Sequence, residues 1–296
     1  MTVIVVGAGI AGLACARELV DAGVPARVVE RGPTVGGRLA SVRVGGRYAD
    51  VGAAYLTADD PSFHGRLLTW RIDGLARPWT DTFRGQHGTA PMRWSAPGGL
   101  RSLAEDLARE LQVTLNTEVS TLPAADTVVL AMPGPEALRI ADLPAAREQS
   151  WSPALTAVLT YPRRSWPDFH GAFVADHPIL ATVCDDGDRR GDRAPVLVAH
   201  STPQFAGGDA AKLAEAVNQV LDLDETPEIV EVAWPYASPE SRPGSFARAG
   251  DVYLCGDAFG RPRVQTAWLS GRAVARDIVS RRHAGGHQGG VPHHGR

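Results

Sequence analysis

The chain has 296 residues, of which 44% are apolar and 21% charged, and its formal net charge is −3. This composition indicates a folded protein with a substantial core, and the near-neutral charge argues against a nucleic-acid or membrane-surface role. Three cysteines without paired spacing, Cys15, Cys184 and Cys255, favour neither a disulfide framework nor a metal site.

The sequence shows no targeting or membrane signal. No apolar run approaches the ~20 residues that a membrane-spanning helix needs. The apolar stretch near the start has no basic segment before it and is interrupted by glycines, unlike a signal peptide. We therefore expect a monomer in the cytoplasm, without nucleic-acid or membrane partners.

The first predicted element is a buried parallel strand at residues 3–6, a continuous run of valine and isoleucine. A G-x-G-x-x-G motif and a helical pattern of apolar residues follow it. Gly7 permits a tight turn, Gly9 lets the backbone approach a pyrophosphate, and Gly12 allows close packing of helix on strand. The helix N-terminus offers N–H groups and a positive dipole end to phosphates. The motif predicts a dinucleotide site; the alternative is a structural loop.

A second predicted strand, residues 26–29, ends in Glu30, 18 residues after the last glycine of the motif. An acidic side chain there accepts hydrogen bonds from an adenosine ribose and argues against a 2′-phosphate. Gly36, Gly37 and Arg38 follow. A simple NAD domain does not need this second glycine pair, whereas FAD enzymes similar to the amine oxidase and hydroxylase superfamily use it to bring the arginine near the pyrophosphate. We expect FAD; the alternative is a surface turn with a solvated arginine.

The middle of the chain predicts further strands and helices. Residues 41–57 indicate a strand pair around Gly45 and Gly46, and a helix begins at 97–100. Strands are predicted within 113–122 and 126–138, the latter ending in a Pro/Gly break.

From residue 151 onward the pattern changes to alternating segments, which predict an antiparallel sheet with one helix at 210–221. The charged segment 185–193 is predicted to be an exposed loop, and the low-complexity segment 283–296 a disordered tail. The predicted fold class is α/β, with a discontinuous FAD-binding Rossmann-like domain and a second, mainly antiparallel-sheet substrate domain. The predicted FAD-binding domain comprises residues 1–76, 96–150 and 236–282, and the substrate domain comprises 77–95 and 151–235.

Near the C-terminus an apolar strand, residues 252–255, ends in Gly256 and Asp257, and a helix is predicted at 265–280. A Gly-Asp pair alone is compatible with a plain turn. If this strand joins the N-terminal sheet, Asp257 lies at its carboxyl end, where open α/β sheets bind ligands. Asp257 would then bond the ribityl chain of a flavin, and the helix N-terminus would face the flavin N1–C2=O locus.

Six segments, taken together, resemble bacterial renalase-type flavoproteins of the flavin amine oxidase superfamily, in the same order over nearly the whole chain. They are GAGIAGL (7–13), GGRLAS (36–41), DVGAAYLTADD (50–60), MRWSAPGGL (92–100), LVAHSTPQF (197–205) and VYLCGDAFGRPRVQTAWLSGRAVAR (252–276).

The resemblance and the motifs together imply a set of cofactor contacts, in which Val119 holds the adenine through its backbone and Ala53 to Tyr55 run beside the isoalloxazine. The implied contacts are Gly7, Ala8, Gly9, Ile10, Ala11, Gly12, Glu30, Arg31, Gly37, Arg38, Ala53, Ala54, Tyr55, Val119, Gly256, Asp257, Val264, Gln265 and Ala267.

The chain departs from the family pattern at Ala54, where the family has Gln, and at Leu56, where it has Phe. An aromatic residue usually follows the Gly-Asp pair directly; here Ala258 follows and Phe259 comes one later. The changes at Ala54 and Leu56 adjoin the expected substrate face, so they bear on substrate identity rather than on FAD binding.

The activity implied by the resemblance is oxidation of dihydronicotinamide isomers of NAD(P)H. Hydride passes to flavin N5, and the electrons pass to O2 to give H2O2. Because this oxidation restores an aromatic ring, it needs no side-chain base, and positioning does most of the work. The one lysine, Lys212, flanks an apolar helix face and is predicted to be exposed, which weakens a lysine-dependent amine oxidase mechanism.

Six residues are predicted to position the substrate: Tyr55, Thr57, Trp94, His200, Gln265 and Trp268. Trp94, Trp268 and His200 each have the alternative of a packed core residue. Two alternatives to the renalase-like reaction stay open, a flavin amine oxidase or dehydrogenase and an FAD-binding redox protein with little turnover.

Overall fold

The computed structural model describes residues 2–286. The strands are β1 (Val3–Val6), β2 (Ala26–Val29), β3 (Ser41–Val44), β4 (Arg47–Asp50), β5 (Arg77–Thr80), β6 (Arg93–Ser95), β7 (Gln112–Thr114), β8 (Thr127–Leu130), β9 (Trp151–Thr160), β10 (Gly171–Phe173), β11 (Leu180–Asp185), β12 (Val196–Ser201), β13 (Glu228–Pro239), β14 (Ala247–Ala249) and β15 (Val252–Leu254). The α-helices are α1 (Ile10–Asp21), α2 (Pro61–Ile72), α3 (Arg101–Ala108), α4 (Gly134–Ala137), α5 (Pro144–Arg147), α6 (Asp186–Arg190), α7 (Ala210–Leu221) and α8 (Val264–Gly286).

The first sheet has the order β14-β15-β8-β1-β2-β7. β1 pairs in parallel with β2 and β8, and β15 pairs in parallel with the other edge of β8. Val3 and Val5 are buried on one face and Val6 and Leu130 on the other, as a parallel sheet covered on both faces requires. The sheet that begins at the N-terminus is therefore completed by the C-terminal strand, which confirms the predicted α/β fold.

Helices α1 and α8 pack closely on each other although they lie at opposite ends of the chain. A Cβ added at Gly271 of α8 would lie 1.9 Å from the carbonyl oxygen of Ala11 in α1, so this crossing requires glycine. Leu13 of α1 and Val274 and Ile278 of α8 share one apolar core. The close packing holds the N-terminus of each helix at the same end of the sheet.

The second sheet is antiparallel, with the order β10-β11-β12-β9-β13. Its side chains alternate between two faces. Leu155 and Leu159 of β9 pack with Leu213 and Val217 of α7, whereas Val158 faces the β3–β4 hairpin. The predicted antiparallel sheet and its helix at 210–221 are confirmed. One face of the sheet is closed by that helix, and the other face packs on the β3–β4 hairpin.

The β3–β4 hairpin turns at Gly45 and Gly46, whose φ angles of 51° and 82° suit glycine in a two-residue hairpin loop. Val44 and Ala49 of this hairpin pack with Val198 of β12 in a shared core. The hairpin therefore belongs to the contact between the two sheets.

The predicted exposed loop at 185–193 is wrong, because most of this segment forms helix α6. Asp186 and Arg189 are fully buried in it. The Arg189 guanidinium donates to the Asp186 carboxylate and to the carbonyl oxygens of Asp50 and Ala54, the last two at 3.2 and 2.9 Å. The charged run enters the interior because its charges are paired there, which linear charge density does not reveal.

Several predicted boundaries shift. β7 is shorter than the predicted strand at 113–122, and β8 ends before the helix α4 that occupies the end of 126–138. Residues 283–286, predicted as the start of a disordered tail, continue helix α8. The rest of that predicted tail lies outside the described residues. Among residues 2–286, no helix is both long and apolar enough to span a membrane.

Candidate functional site

A cavity of about 770 Å³ lies at the carboxyl ends of the parallel strands. It begins beside Glu30 and Val119, passes Arg38 and Asp257, and reaches His200 on β12 of the antiparallel sheet. Its walls therefore come from the N-terminal motif, the C-terminal strand and the second sheet. Its volume lies within the usual range for small-molecule and cofactor sites.

The glycines of the first loop have three different roles in the geometry. Gly7 has φ +106°, and a Cβ there would lie 2.5 Å from the carbonyl oxygen of Ala131. A Cβ at Gly12 would lie 2.0 Å from the carbonyl oxygen of Gly7, so these two glycines permit the turn and the packing of α1. A Cβ at Gly9 would meet no atom of residues 2–286 within 4 Å, and Gly9 lines the cavity. Gly9 thus leaves space that a bound group can fill.

The N-terminus of α1 faces this cavity. Gly9 is the N-cap, no side chain among residues 2–286 caps the helix, and its first turn has no acidic residue. The Glu30 carboxylate accepts hydrogen bonds from the backbone N–H groups of Ala8 and Gly32, both at 2.8 Å. These bonds fix Glu30 at the rim of the cavity, where its remaining acceptor capacity suits a ribose diol. The residues therefore fit a dinucleotide.

Arg38 and Asp257 join the two ends of the chain inside the cavity. The guanidinium donates to both carboxylate oxygens, at 2.8 and 2.5 Å, in a bidentate pair. It also donates to the carbonyl oxygen of Ala237 at 3.2 Å and lies 4.9 Å from the centre of the Trp151 ring. Asp257 thus stands at the carboxyl end of β15, as the sequence predicts if that strand joins the N-terminal sheet.

His200 is held by two hydrogen bonds where the cavity meets the antiparallel sheet. Its Nε2 lies 3.0 Å from the carbonyl oxygen of Gly52, and its Nδ1 lies 3.3 Å from Oγ1 of Thr182. Burial lowers the pKa of His200 to about 4, so the ring is neutral at pH 7. Because a carbonyl can only accept, Nε2–H donates to Gly52 and Nδ1 accepts from the Thr182 hydroxyl.

Most of the predicted cofactor contacts line the cavity, and so does His200. The lining members are Gly7, Gly9, Ile10, Ala11, Glu30, Arg31, Gly37, Arg38, Ala53, Val119, His200, Gly256, Asp257, Val264 and Ala267. The predicted site residues outside its lining are Ala8, Gly12, Ala54, Tyr55, Thr57, Trp94, Gln265 and Trp268.

Three residues outside the lining have identifiable contacts. Gln265 is buried; its Oε1 accepts from the backbone N–H groups of Asp59 and Asp60, at 2.8 and 3.1 Å, which ties the start of α8 to the segment before α2. Trp268 is buried against Phe63, with ring centres 5.4 Å apart. The rings of Tyr55 and Phe83 meet edge to face, with ring centres 5.6 Å apart.

Trp94 is buried in the apolar core that α1 and α8 share. Its backbone pairs with that of Leu56 through two hydrogen bonds of 2.9 Å. The bridge positions the segment that includes Tyr55 next to β6. Trp94 and Trp268 therefore have the packing contacts of core residues.

Sequence reasoning missed Arg93, the first residue of β6. It is only 4% exposed, and its guanidinium lies 4.2 Å from the centre of the Phe83 ring and 5.0 Å from that of Tyr55. Its only sequence signal is an arginine inside a short apolar segment. That signal does not reveal burial, because the rings around Arg93 come from distant parts of the chain.

Comparisons with known proteins agree with this architecture. Residues 5–68 match the family model of the NAD(P)-binding Rossmann-like domain. Among solved structures, the chain is similar to a putative protoporphyrinogen oxidase from Exiguobacterium sp. 255-15, with 15% identity and a TM-score of 0.73 over 95% of this chain and 99% of that one. It is also similar to wild-type putrescine oxidase bound to putrescine, with 16% identity and a TM-score of 0.74 over 95% of this chain and 99% of that one.

The protein therefore has a Rossmann-like parallel sheet and the overall fold seen in these oxidases. At such identities the similarity establishes the fold, and the chemistry must be argued from the cavity.

Proposed function

We propose that the protein is an FAD-dependent oxidoreductase with a renalase-like activity toward dihydronicotinamides. The observation that carries this proposal is the continuity of the cavity from Glu30, past Arg38 and Asp257, to His200. A cavity with a dinucleotide loop at one end and a second domain at the other suits a long cofactor whose redox-active ring meets a substrate. When bound, FAD supplies hydride acceptance and electron transfer to O2, with H2O2 as product.

The chain's own residues bind and orient rather than exchange protons. Glu30 suits the adenosine ribose, the N-terminus of α1 suits the pyrophosphate, and Arg38 with Asp257 occupies the middle of the cavity. At the far end His200 is neutral and has both ring nitrogens engaged. We therefore assign His200 the role of a rigidly held side chain that positions the substrate, and not that of a base.

The absence of a nearby lysine favours a dihydropyridine over an amine. Lys212 is exposed on α7, on the helix that covers the face of the antiparallel sheet directed away from the cavity. Oxidation of a dihydropyridine transfers a hydride and leaves an aromatic ring, so no proton has to be removed by the protein. The residues at the end of the cavity meet that requirement by positioning alone.

An amine oxidase is the second candidate, favoured by the fold similarity to putrescine oxidase. The two candidates differ in their dependence on pH. An amine must lose its proton before it donates a hydride, so its oxidation rate rises with pH, whereas a dihydronicotinamide has no such proton.

The experiment begins with the purified protein, which should be yellow and release FAD into the supernatant on acid precipitation. Anaerobic stopped-flow reduction is then measured from pH 6 to 9 with dihydronicotinamide isomers and with amines such as putrescine. Rapid, pH-independent reduction by a dihydronicotinamide supports the proposal. Reduction by amines alone, with a rate rising about tenfold per pH unit, refutes it in favour of the second candidate.

A further inference from the structure

Arg93 is a buried cation whose hydrogen-bonding capacity is largely unused. Its Nη2 donates to Oε1 of Gln86 at 2.8 Å, and Gln86 is neutral. Its Nε and Nη1 are buried and have no hydrogen-bond partner among residues 2–286. An arginine does not lose its proton inside a protein, so these donors remain charged and call for an acceptor.

The other two buried arginines of the described chain, Arg189 and Arg190, differ from Arg93 because they have carboxylate partners. Arg189 pairs with Asp186, and Arg190 contacts Asp50 at 3.2 Å and Asp186 at 3.4 Å. The fold thus neutralises those guanidinium groups with carboxylates. Arg93 has aromatic neighbours where the others have carboxylates.

Three rings surround the Arg93 guanidinium, those of Phe83, Tyr55 and Phe173, with ring centres 4.2, 5.0 and 5.8 Å from its carbon Cζ. Tyr55 and Phe173 are themselves partly exposed. The ring faces attract the cation and cover the guanidinium with apolar surface.

The ring cluster around Arg93 meets the antiparallel sheet at Phe173, on the face of the sheet that carries His200. Phe173, Thr182 and His200 stand directly opposite one another on β10, β11 and β12. His200 lines the cavity, Thr182 bonds to it, and Phe173 borders Arg93. The row of side chains therefore leads from the expected position of the flavin ring toward the guanidinium.

We propose that Arg93 binds a carboxylate carried by a planar, ring-shaped substrate, so that the preferred substrate class is a dihydropyridine carboxylate rather than a neutral carboxamide. This inference rests on the proposed function, in which the end of the cavity holds a planar ring for oxidation. A carboxylate supplies the acceptors that the guanidinium lacks, in a planar pair of oxygens that matches its donors.

The test measures binding without turnover, on the FAD-loaded full chain, by isothermal titration calorimetry. Nicotinate and nicotinamide are the probes, since they share a ring and differ in the charge of one planar group; benzoate tests the carboxylate without the pyridine nitrogen. We expect nicotinate and benzoate to bind at least tenfold more tightly than nicotinamide. Equal affinities for nicotinate and nicotinamide in the wild type overturn the proposal, whatever any variant does.

Two variants test whether Arg93 causes the difference in affinity between nicotinate and nicotinamide. Arg93→Gln should reduce nicotinate affinity at least tenfold and change nicotinamide affinity less than threefold. The matched control is Arg84→Gln, because Arg84 also lies over a ring, that of Phe169, 5.1 Å away, but is exposed. It should bind both probes as the wild type does. Undiminished nicotinate binding in folded Arg93→Gln, or an equal loss in Arg84→Gln, overturns the proposal.

Two further measurements, phosphate competition and flavin reduction, show which part of the proposal fails if a result is negative. Inorganic phosphate that displaces nicotinate at equal or lower concentration would show a general anion site and overturn the carboxylate assignment. The proposed function is tested independently by flavin reduction. Reduction by dihydronicotinamides without selective nicotinate binding refutes only the role of Arg93. Arg93-dependent carboxylate binding without reduction by any dihydropyridine, whether a carboxamide or a carboxylate, refutes only the dihydropyridine chemistry.

Discussion

The two ends of the cavity are built by different means. At the nucleotide end, glycines and backbone N–H groups within the first forty residues do most of the work, assisted by Glu30. At the substrate end, the lining includes side chains such as His200 and Trp151, which lie far from the first loop in sequence. A backbone-built site recognises a constant group such as pyrophosphate, whereas a side-chain-built site can change its substrate through single substitutions.

The largest effect is expected on FAD affinity, when a glycine at the backbone-built end of the cavity is replaced. Gly9→Ala should raise the dissociation constant of FAD at least about 100-fold, or about 2.7 kcal/mol, because the methyl group occupies the space left for the pyrophosphate. The thermal stability of the apoprotein should hardly change, because the new Cβ meets no protein atom within 4 Å. Fluorescence titration of apoprotein with FAD measures the first effect, and calorimetry the second.

Gly65→Ala is the matched control, since a Cβ there also meets nothing within 4 Å and Gly65 lies in α2. It should bind FAD as the wild type does. If Gly9→Ala binds FAD normally, the pyrophosphate does not approach this loop.

A smaller effect is expected where the two chain ends meet. Arg38→Met should weaken FAD binding about 30-fold, or about 2 kcal/mol, because it breaks the bidentate pair with Asp257 and leaves a largely buried carboxylate without its partner. Asp257→Asn and the double variant complete a cycle measured by the same titration. The double variant should lose less than the sum of the single losses, and strictly additive losses would show that the two residues act independently.

At the substrate end, His200 should make stability depend on pH. Its pKa is lowered to about 4 in the folded protein, from 6.5, so the unfolded chain binds more protons between these values. Stability therefore falls as pH decreases from about 6.5 to about 4. Relative to His200→Gln, the wild type should lose about 1 to 2 kcal/mol over this range, an amount reduced by the partial exposure of the ring. Urea unfolding at several pH values measures the difference, and parallel curves would contradict it.

The smallest effect is expected outside both ends. Lys212→Ala should leave the rate constant of flavin reduction within about threefold of the wild type, because Lys212 is exposed on α7. Anaerobic stopped-flow with the best reductant provides the measurement. A loss of a hundredfold or more would place this lysine in the chemistry and reopen the amine oxidase mechanism.

The same contrast explains which parts could be predicted from the sequence. Gly7, Gly12 and Glu30 are constrained by a turn, a packing contact and a strand end within one local unit, so their spacing carries the signal. Asp257 could be placed once β15 was assumed to join that unit, and β15 does pair with β8.

The substrate end was less predictable, because its geometry depends on contacts between distant segments. Helix α6 looked like an exposed charged loop, although its buried charges are paired with each other and with the β4 region. Gln265 was predicted to position the substrate, and the structure shows it bonded to Asp59 and Asp60. Arg93 carries no local motif at all.

The position of β15 has a consequence for protein synthesis. β8 needs β15 as its neighbour, but more than a hundred residues are translated between them, which takes on the order of ten seconds at typical rates. During that interval β8 is an exposed edge, while the antiparallel sheet, contiguous from β9 to β13, emerges in full. We expect the substrate domain to form first on the ribosome, and the nascent chain to capture its cofactor only after α8 has left the exit tunnel.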